Sequence, residues 1–119
     1  MSQILHRPLY FKFNFLIIFL FITNFLFSQG EANIWYFGHQ AGLDFNSGSP
    51  VALTNSKMVT DEGSASISDA SGKLLFYTDG TAVWNSLHDT MQNGFDLYGD
   101  PSSTQSAVII QKPGSSTIY

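Results

Sequence analysis

Beyond Gly30 the chain is predicted to be all-β, made of antiparallel meanders, and three observations predict it. No stretch there places apolar residues at i, i+3, i+4 and i+7 for three helical turns. Short apolar or alternating runs recur instead, each bounded by Gly, Asn, Asp, Ser or Pro. The boundaries carry the residues that specific turns need: Asn46-Ser47-Gly48, Asp69-Ala70-Ser71-Gly72, Asp79-Gly80 and Pro113-Gly114. Glycine supplies positive φ in such turns, and Asp or Asn bonds the backbone two residues on.

The strands are expected at 33–38, 42–45, 51–53, 65–68, 74–79, 82–85 and 107–111. The first carries Ile34-Trp35-Tyr36-Phe37 and stops at a glycine; the second, Gly42 to Phe45, ends at the Asn-Ser-Gly turn. A short Val51-Ala52-Leu53 run follows Pro50. Ala65 to Ser68 and Leu74 to Asp79 form a hairpin across the four residues Asp69 to Gly72, and Asp79-Gly80 turns the chain into the strand that carries Val83 and Trp84. Three consecutive antiparallel strands make a meander, the unit of a β-propeller blade. Asn33 to Gly38 and Lys73 to Thr78 both place aromatics in a strand that ends in a turn, about 40 residues apart, within the range of blade repeats. The expected fold is therefore a partial β-propeller of one or two blades, with a β-sandwich as the alternative.

Residues 1–28 differ from everything that follows. His6, Arg7 and Lys12 precede an apolar run from Phe13 to Phe27, broken by Asn24. That run is shorter than the roughly 20 residues that span a bilayer and suits a secretory signal peptide. Small residues at Ser28 and Gly30 place the mature start at Gln29 or Glu31, so the chain divides into a leader, 1–28, and an incomplete propeller-like domain, 29–119. The product is expected to be exported, secreted or held at the outer surface, touching membrane only through the leader. No cysteine is present to form disulfides or to carry a lipid anchor. With the leader gone, Lys57, Lys73 and Lys112 face nine acidic residues, a net charge of −6. Nucleic acid is excluded as a partner, because phosphate tracking needs clustered Lys and Arg. The pattern Ala107 to Gln111, Pro-Gly, then Thr117-Ile118-Tyr119 reads as a strand, a turn and the start of another strand, which suggests the front end of a longer protein.

Chemistry-bearing motifs are sparse. Gly63-Ser64-Ala65-Ser66 and Gly48-Ser49-Pro50 lack the second glycine of a nucleophile elbow, and His39 and His88 read as loop histidines at strand ends, so no catalytic residue is assigned. Asp44-Phe45-Asn46-Ser47-Gly48 has too few oxygen donors for a calcium loop. The adjacent carboxylates Asp61 and Glu62 are the candidate metal ligands; calcium is the cation they would suit, although a full ligand set is not evident and no cofactor is expected. Aromatic residues are the most pronounced remaining feature. Strand alternation divides them between two sheet faces, which favours packing. Trp35 and Trp84 are the candidates for stacking a saccharide.

The phrases "NIWYFG", "LDFNSG", "LLFYTDG", "VWN" and "STQSA", in this order, resemble the N-terminal region of large secreted surface proteins of gliding Bacteroidetes. The resemblance implies a propeller-like β region behind a signal peptide. It also implies a C-terminal gliding-motility-associated or type IX sorting domain downstream, which this sequence does not contain. The expected role is non-catalytic: adhesion or extracellular interaction, with partners among downstream domains of the parent protein, surface glycans or other proteins. The alternative is a carbohydrate-binding or carbohydrate-active exoprotein segment.

Overall fold

The computed structural model describes residues 30–115 and 117–119; the expected leader lies outside the described residues. A 3-10 turn at Gly30–Ala32 leads into β1 (Ile34–Phe37), β2 (Ala41–Asp44), β3 (Val51–Leu53), β4 (Ala65–Ser68), β5 (Leu74–Thr78) and β6 (Val83–Asn85). They form two three-stranded sheets in sequential order, β1-β2-β3 and β4-β5-β6, antiparallel throughout. The all-β expectation holds, and among the described residues neither sheet closes into a ring.

The turns explain why the strands end where they do. Asp44, Asp69, Asp79, Asn85 and Asp100 each accept the backbone N–H two residues on through Oδ1, at 2.8 to 2.9 Å. These local bonds compete with continued ladder pairing and fix the chain reversal. Asp69 also accepts from the Ser71 hydroxyl and the Lys73 amide, and these bonds, the Ser71 hydroxyl first, hold its carboxyl below its ordinary range. Gly80 has a φ of +87°, and a Cβ there would meet the Ser106 carbonyl oxygen at 2.6 Å, so the Asp79 turn admits no other residue without strain.

A side-chain hydroxyl joins the two sheets. Ser66 of β4 donates to the Ile34 carbonyl (2.9 Å) and accepts the Tyr36 N–H (3.3 Å). The exposed edge of β1 is thus satisfied by β4 without a ladder, which blunts it as a template for aggregation. Behind this seam lies the core of Tyr36, Met58, Leu74 and Tyr77, flanked by Ile34, Leu53 and Trp84. Strict alternation would put Leu74 and Tyr77 on opposite faces. A register shift opposite Ile67 and Ser68 inserts Leu75 as an extra residue, and this bulge turns Leu74 to the side of Tyr77.

One expected strand is corrected. Residues 107–111 form no strand, although their alternation is real: Val108 and Ile110 are exposed while Ala107 and Ile109 are half-buried. The free edge of β6 is already taken. Met91 N–H donates to Val83 (2.9 Å), Val83 N–H donates to Gly94 (2.7 Å), and Thr90 bridges to Trp84. Residues 99–106 instead run over the loops: Asp61 and Glu62 donate to Pro101, Gly63 donates to Ser103, and Gly99 donates to Gly80.

Candidate functional site

The densest side-chain chemistry lies where both sheets and two loops meet. Tyr36 comes from β1, Asn55 from the segment after β3, Tyr77 from β5 and His88 from the loop after β6. Tyr36 Oη donates to Asn55 Oδ1 (2.9 Å). With its oxygen occupied, the amide offers Nδ2 to His88 Nε2 at 2.8 Å. That makes Nε2 an acceptor and leaves the ring proton on Nδ1, which points at Tyr77 Oη, 3.1 Å away. The Lys57 N–H donates to the same oxygen (3.0 Å). The tautomer is thus assigned from the network of partners.

Ring packing reinforces the network. Tyr36 and Tyr77 lie 4.7 Å apart, Trp84 stacks on Tyr77 at 5.3 Å with planes 18° apart, and His88 meets Tyr36 edge-on at 5.6 Å. Such offset and edge contacts each add of order 1 kcal/mol beyond burial. Burial pushes the Tyr36 hydroxyl above its ordinary pKa of 10.0; the Asn55 bond opposes that, while Tyr77 and Asp44 add to it. A recess of about 380 Å³ opens beside these groups, with Asp44, Asn46, Lys73 and Leu87 on its walls. Both His88 nitrogens are engaged within the protein, and among the described residues no serine or threonine hydroxyl bonds to either. The arrangement acts as a polar clasp between the sheets and lacks the pairing of nucleophile and base that acyl transfer requires.

The raised Tyr36 pKa fixes a sign. The neutral phenol is favoured in the folded chain, so this contribution is intact below the unfolded value near 10.0 and is lost as pH rises through the folded value. Urea midpoints of wild type and Tyr36→Phe, measured from pH 8 to 11, are expected to converge above about pH 10. A constant gap would contradict that account.

The sequence-predicted residues are not brought together. Trp35 stands on the outward face of the first sheet, 50% exposed; its indole N–H is donated to the Ala32 carbonyl (2.7 Å) and its ring tilts against Phe45 at 5.0 Å. Trp84 is half-buried, on the inward face of the second sheet, with one ring face covered by Tyr77. Asp61 Oδ1 lies 3.3 Å from His39 Nε2 on the surface, and Glu62 accepts from the Thr104 hydroxyl (3.1 Å). Among the described residues no group of three or more His, Asp or Glu side chains gathers to hold a metal ion.

Sequence reasoning missed Tyr36, Asn55, Tyr77 and His88 as a unit. One signal was available. Asn85 N–H donates to Asp89, and His88 N–H donates to Asn85, so residues 86–88 form a three-residue hairpin loop. Its last position takes left-handed φ and ordinarily prefers glycine. A histidine there, at φ +65°, marks a side chain retained against backbone preference. Set against models of known families, against characterised proteins and against solved structures, the chain finds no match.

Proposed function

We propose that the chain is a non-catalytic, propeller-type stacked-sheet segment of an exported protein, working in adhesion or extracellular interaction. The observation that carries this reading is the apolar character of both outward sheet faces. Trp35, Phe37, Leu43 and Phe45 lie on the first, with Trp35 50% and Phe37 39% exposed. Phe76, Val83 and Met91 line a groove of about 680 Å³ on the second. Faces of this kind are costly in water and are buried by neighbouring sheets in repeat folds. The short pairing of Thr90 with Trp84 gives the second sheet the beginnings of a fourth strand, as a blade requires. The resemblance to surface proteins of gliding Bacteroidetes and the apolar leader point the same way.

A saccharide platform at Trp35 is the second reading, motivated by its exposed ring. Its surroundings favour it less: the indole N–H is already donated, and the residues that share its face, Phe37, Ala41, Leu43 and Ala52, offer no polar side chain to sugar hydroxyls. Expression of the full chain in a Bacteroidetes host, followed by fractionation and N-terminal sequencing, tests the first reading. Export with a new terminus at Gln29 or Glu31 is expected, and an intact chain in the cytoplasm would sink it. Glycan-array binding that Trp35→Ala abolishes would promote the second reading.

A further inference from the structure

We infer that the recess between the two sheets is a binding site for a single neutral sugar residue, held by Asp44, Asn55 and Leu87. The inference deepens the extracellular-interaction reading above, on which it rests for the partner, and it places the ligand away from Trp35. The recess is about 380 Å³, near the lower limit of the roughly 300–1,000 Å³ usual for ligand sites, so it takes one ring and not an extended chain.

Two hydrogen-bond networks brace its sides, and each leaves one group over. Asp44 pairs with Ile34 and with Val51 in register, which puts its carboxylate on the inward face with Tyr36 and Leu53. Its Oδ1 accepts both the backbone N–H and the side-chain amide of Asn46, at 2.8 and 2.7 Å. The Asn46 side chain is braced in turn, since Nδ2 also donates to the Gly72 carbonyl (3.0 Å) and Oδ1 accepts from Asn33 (2.9 Å). The carboxylate is therefore held through one oxygen, and among the described residues Oδ2 has no hydrogen-bond partner. Across the recess, Asn55 accepts from Tyr36 and gives one amide proton to His88, which leaves its second amide proton over.

A fixed acceptor and a fixed donor across a small recess suit sugar hydroxyls, because a hydroxyl gives its proton to a carboxylate and accepts one from an amide. The charges point to a neutral ligand: Asp44 and Lys73 stand on the same walls with opposite sign, so neither an anion nor a cation meets a complementary site. The C–H face of a sugar ring needs apolar contact as well. Leu53 and Leu74 line the recess, and Leu87, 76% exposed, stands beside them on the 86–88 loop. A bound ring would take part of that leucine out of water.

The test follows the backbone amides of the isotope-labelled full chain by NMR during titration with methyl glycosides of glucose, galactose, mannose and N-acetylglucosamine. At least one glycoside is expected to shift the Asn46, Asn55, Lys73 and Leu87 amides, with a Kd of order 1 mM, as suits one small polar ligand. Asp44→Asn puts a donor where Oδ2 accepts and is expected to weaken binding about ten-fold or more, the worth of a hydrogen bond to a charged group. Leu87→Ser changes an exposed position, so it keeps the test readable if the first variant unfolds; about three-fold weaker binding is expected, with the urea midpoint unchanged. Trp35→Ala is expected to leave binding as it is. No shift of these amides at about fifty times that Kd would overturn the inference, and so would full affinity in Asp44→Asn or Leu87→Ser. Shifts confined to the surroundings of Trp35 would overturn it in favour of the outward face, and a response to glycine but to no glycoside in favour of a zwitterion. Export of a chain that binds no glycoside would leave the stacked-sheet reading standing, so the two can fail separately.

Discussion

Tyr77→Ala is expected to abolish cooperative unfolding, leaving a chain with no measurable urea midpoint at 25 °C. Tyr77 is fully buried and contacts Tyr36, Trp84 and His88 by ring packing. Truncating a large aromatic side chain in a core costs about 3–5 kcal/mol, against a total of about 5–15 kcal/mol for an ordinary domain. With roughly 90 described residues and no cysteine to form a disulfide, the fold sits at the low end of that range. Tyr77→Phe separates the ring from the hydroxyl. It keeps the stack but leaves the Lys57 N–H and His88 Nδ1 without their acceptor. A loss of about 1–3 kcal/mol is expected, because a buried donor deprived of its partner keeps its desolvation cost. The urea midpoint should fall with the slope unchanged, the mark of altered stability within the same fold. An alanine variant with a wild-type midpoint would show that the described core is not where the folding energy lies.

The parts of this fold that could be read in the sequence are those whose cause is local. The meander β4-β5-β6 was legible because Asp69 and Asp79 build their turns from their own carboxylates, with Gly72 and Gly80 supplying positive φ. Residues 107–111 misled because alternation states only that a segment could pair. Whether it does depends on a vacant edge, and that edge went to Thr90 and its neighbours, a stretch with little alternation of its own. The bulge at Leu75 was illegible for a related reason: it is a property of two strands in register. The packing of Trp84 could be anticipated from the small Ala82 beside it in alternation, but its partner Tyr77 follows only from the register of β5 against β6. Tyr36, Asn55, Tyr77 and His88 are distant in sequence and converge only because one sheet leans on the other, so no spacing rule could have gathered them.

His88 offers a test in which backbone and side chain pull in opposite directions. At φ +65° a residue with a Cβ costs about 1–2 kcal/mol that glycine would not. The imidazole offsets this by bridging Asn55 to Tyr77 and filling the angle between the Tyr36 and Tyr77 rings. His88→Ala forfeits the bridge and keeps the strain, and a loss of about 2–3 kcal/mol is expected from the two hydrogen bonds and the ring contacts. His88→Gly forfeits the same bridge but relieves the backbone. It should therefore be the more stable of the two by about 1 kcal/mol, which reverses the usual order for a glycine in folded structure. Denaturant midpoints of the three chains settle the ranking. Wild type above glycine above alanine means that the clasp outweighs the strain it imposes. Alanine at or above glycine would mean that the loop does not hold this residue in the left-handed region, and alanine equal to wild type would mean that the clasp holds nothing together. With the expected ranking, the histidine is retained because its ring joins the two sheets at a position where the backbone alone favours glycine.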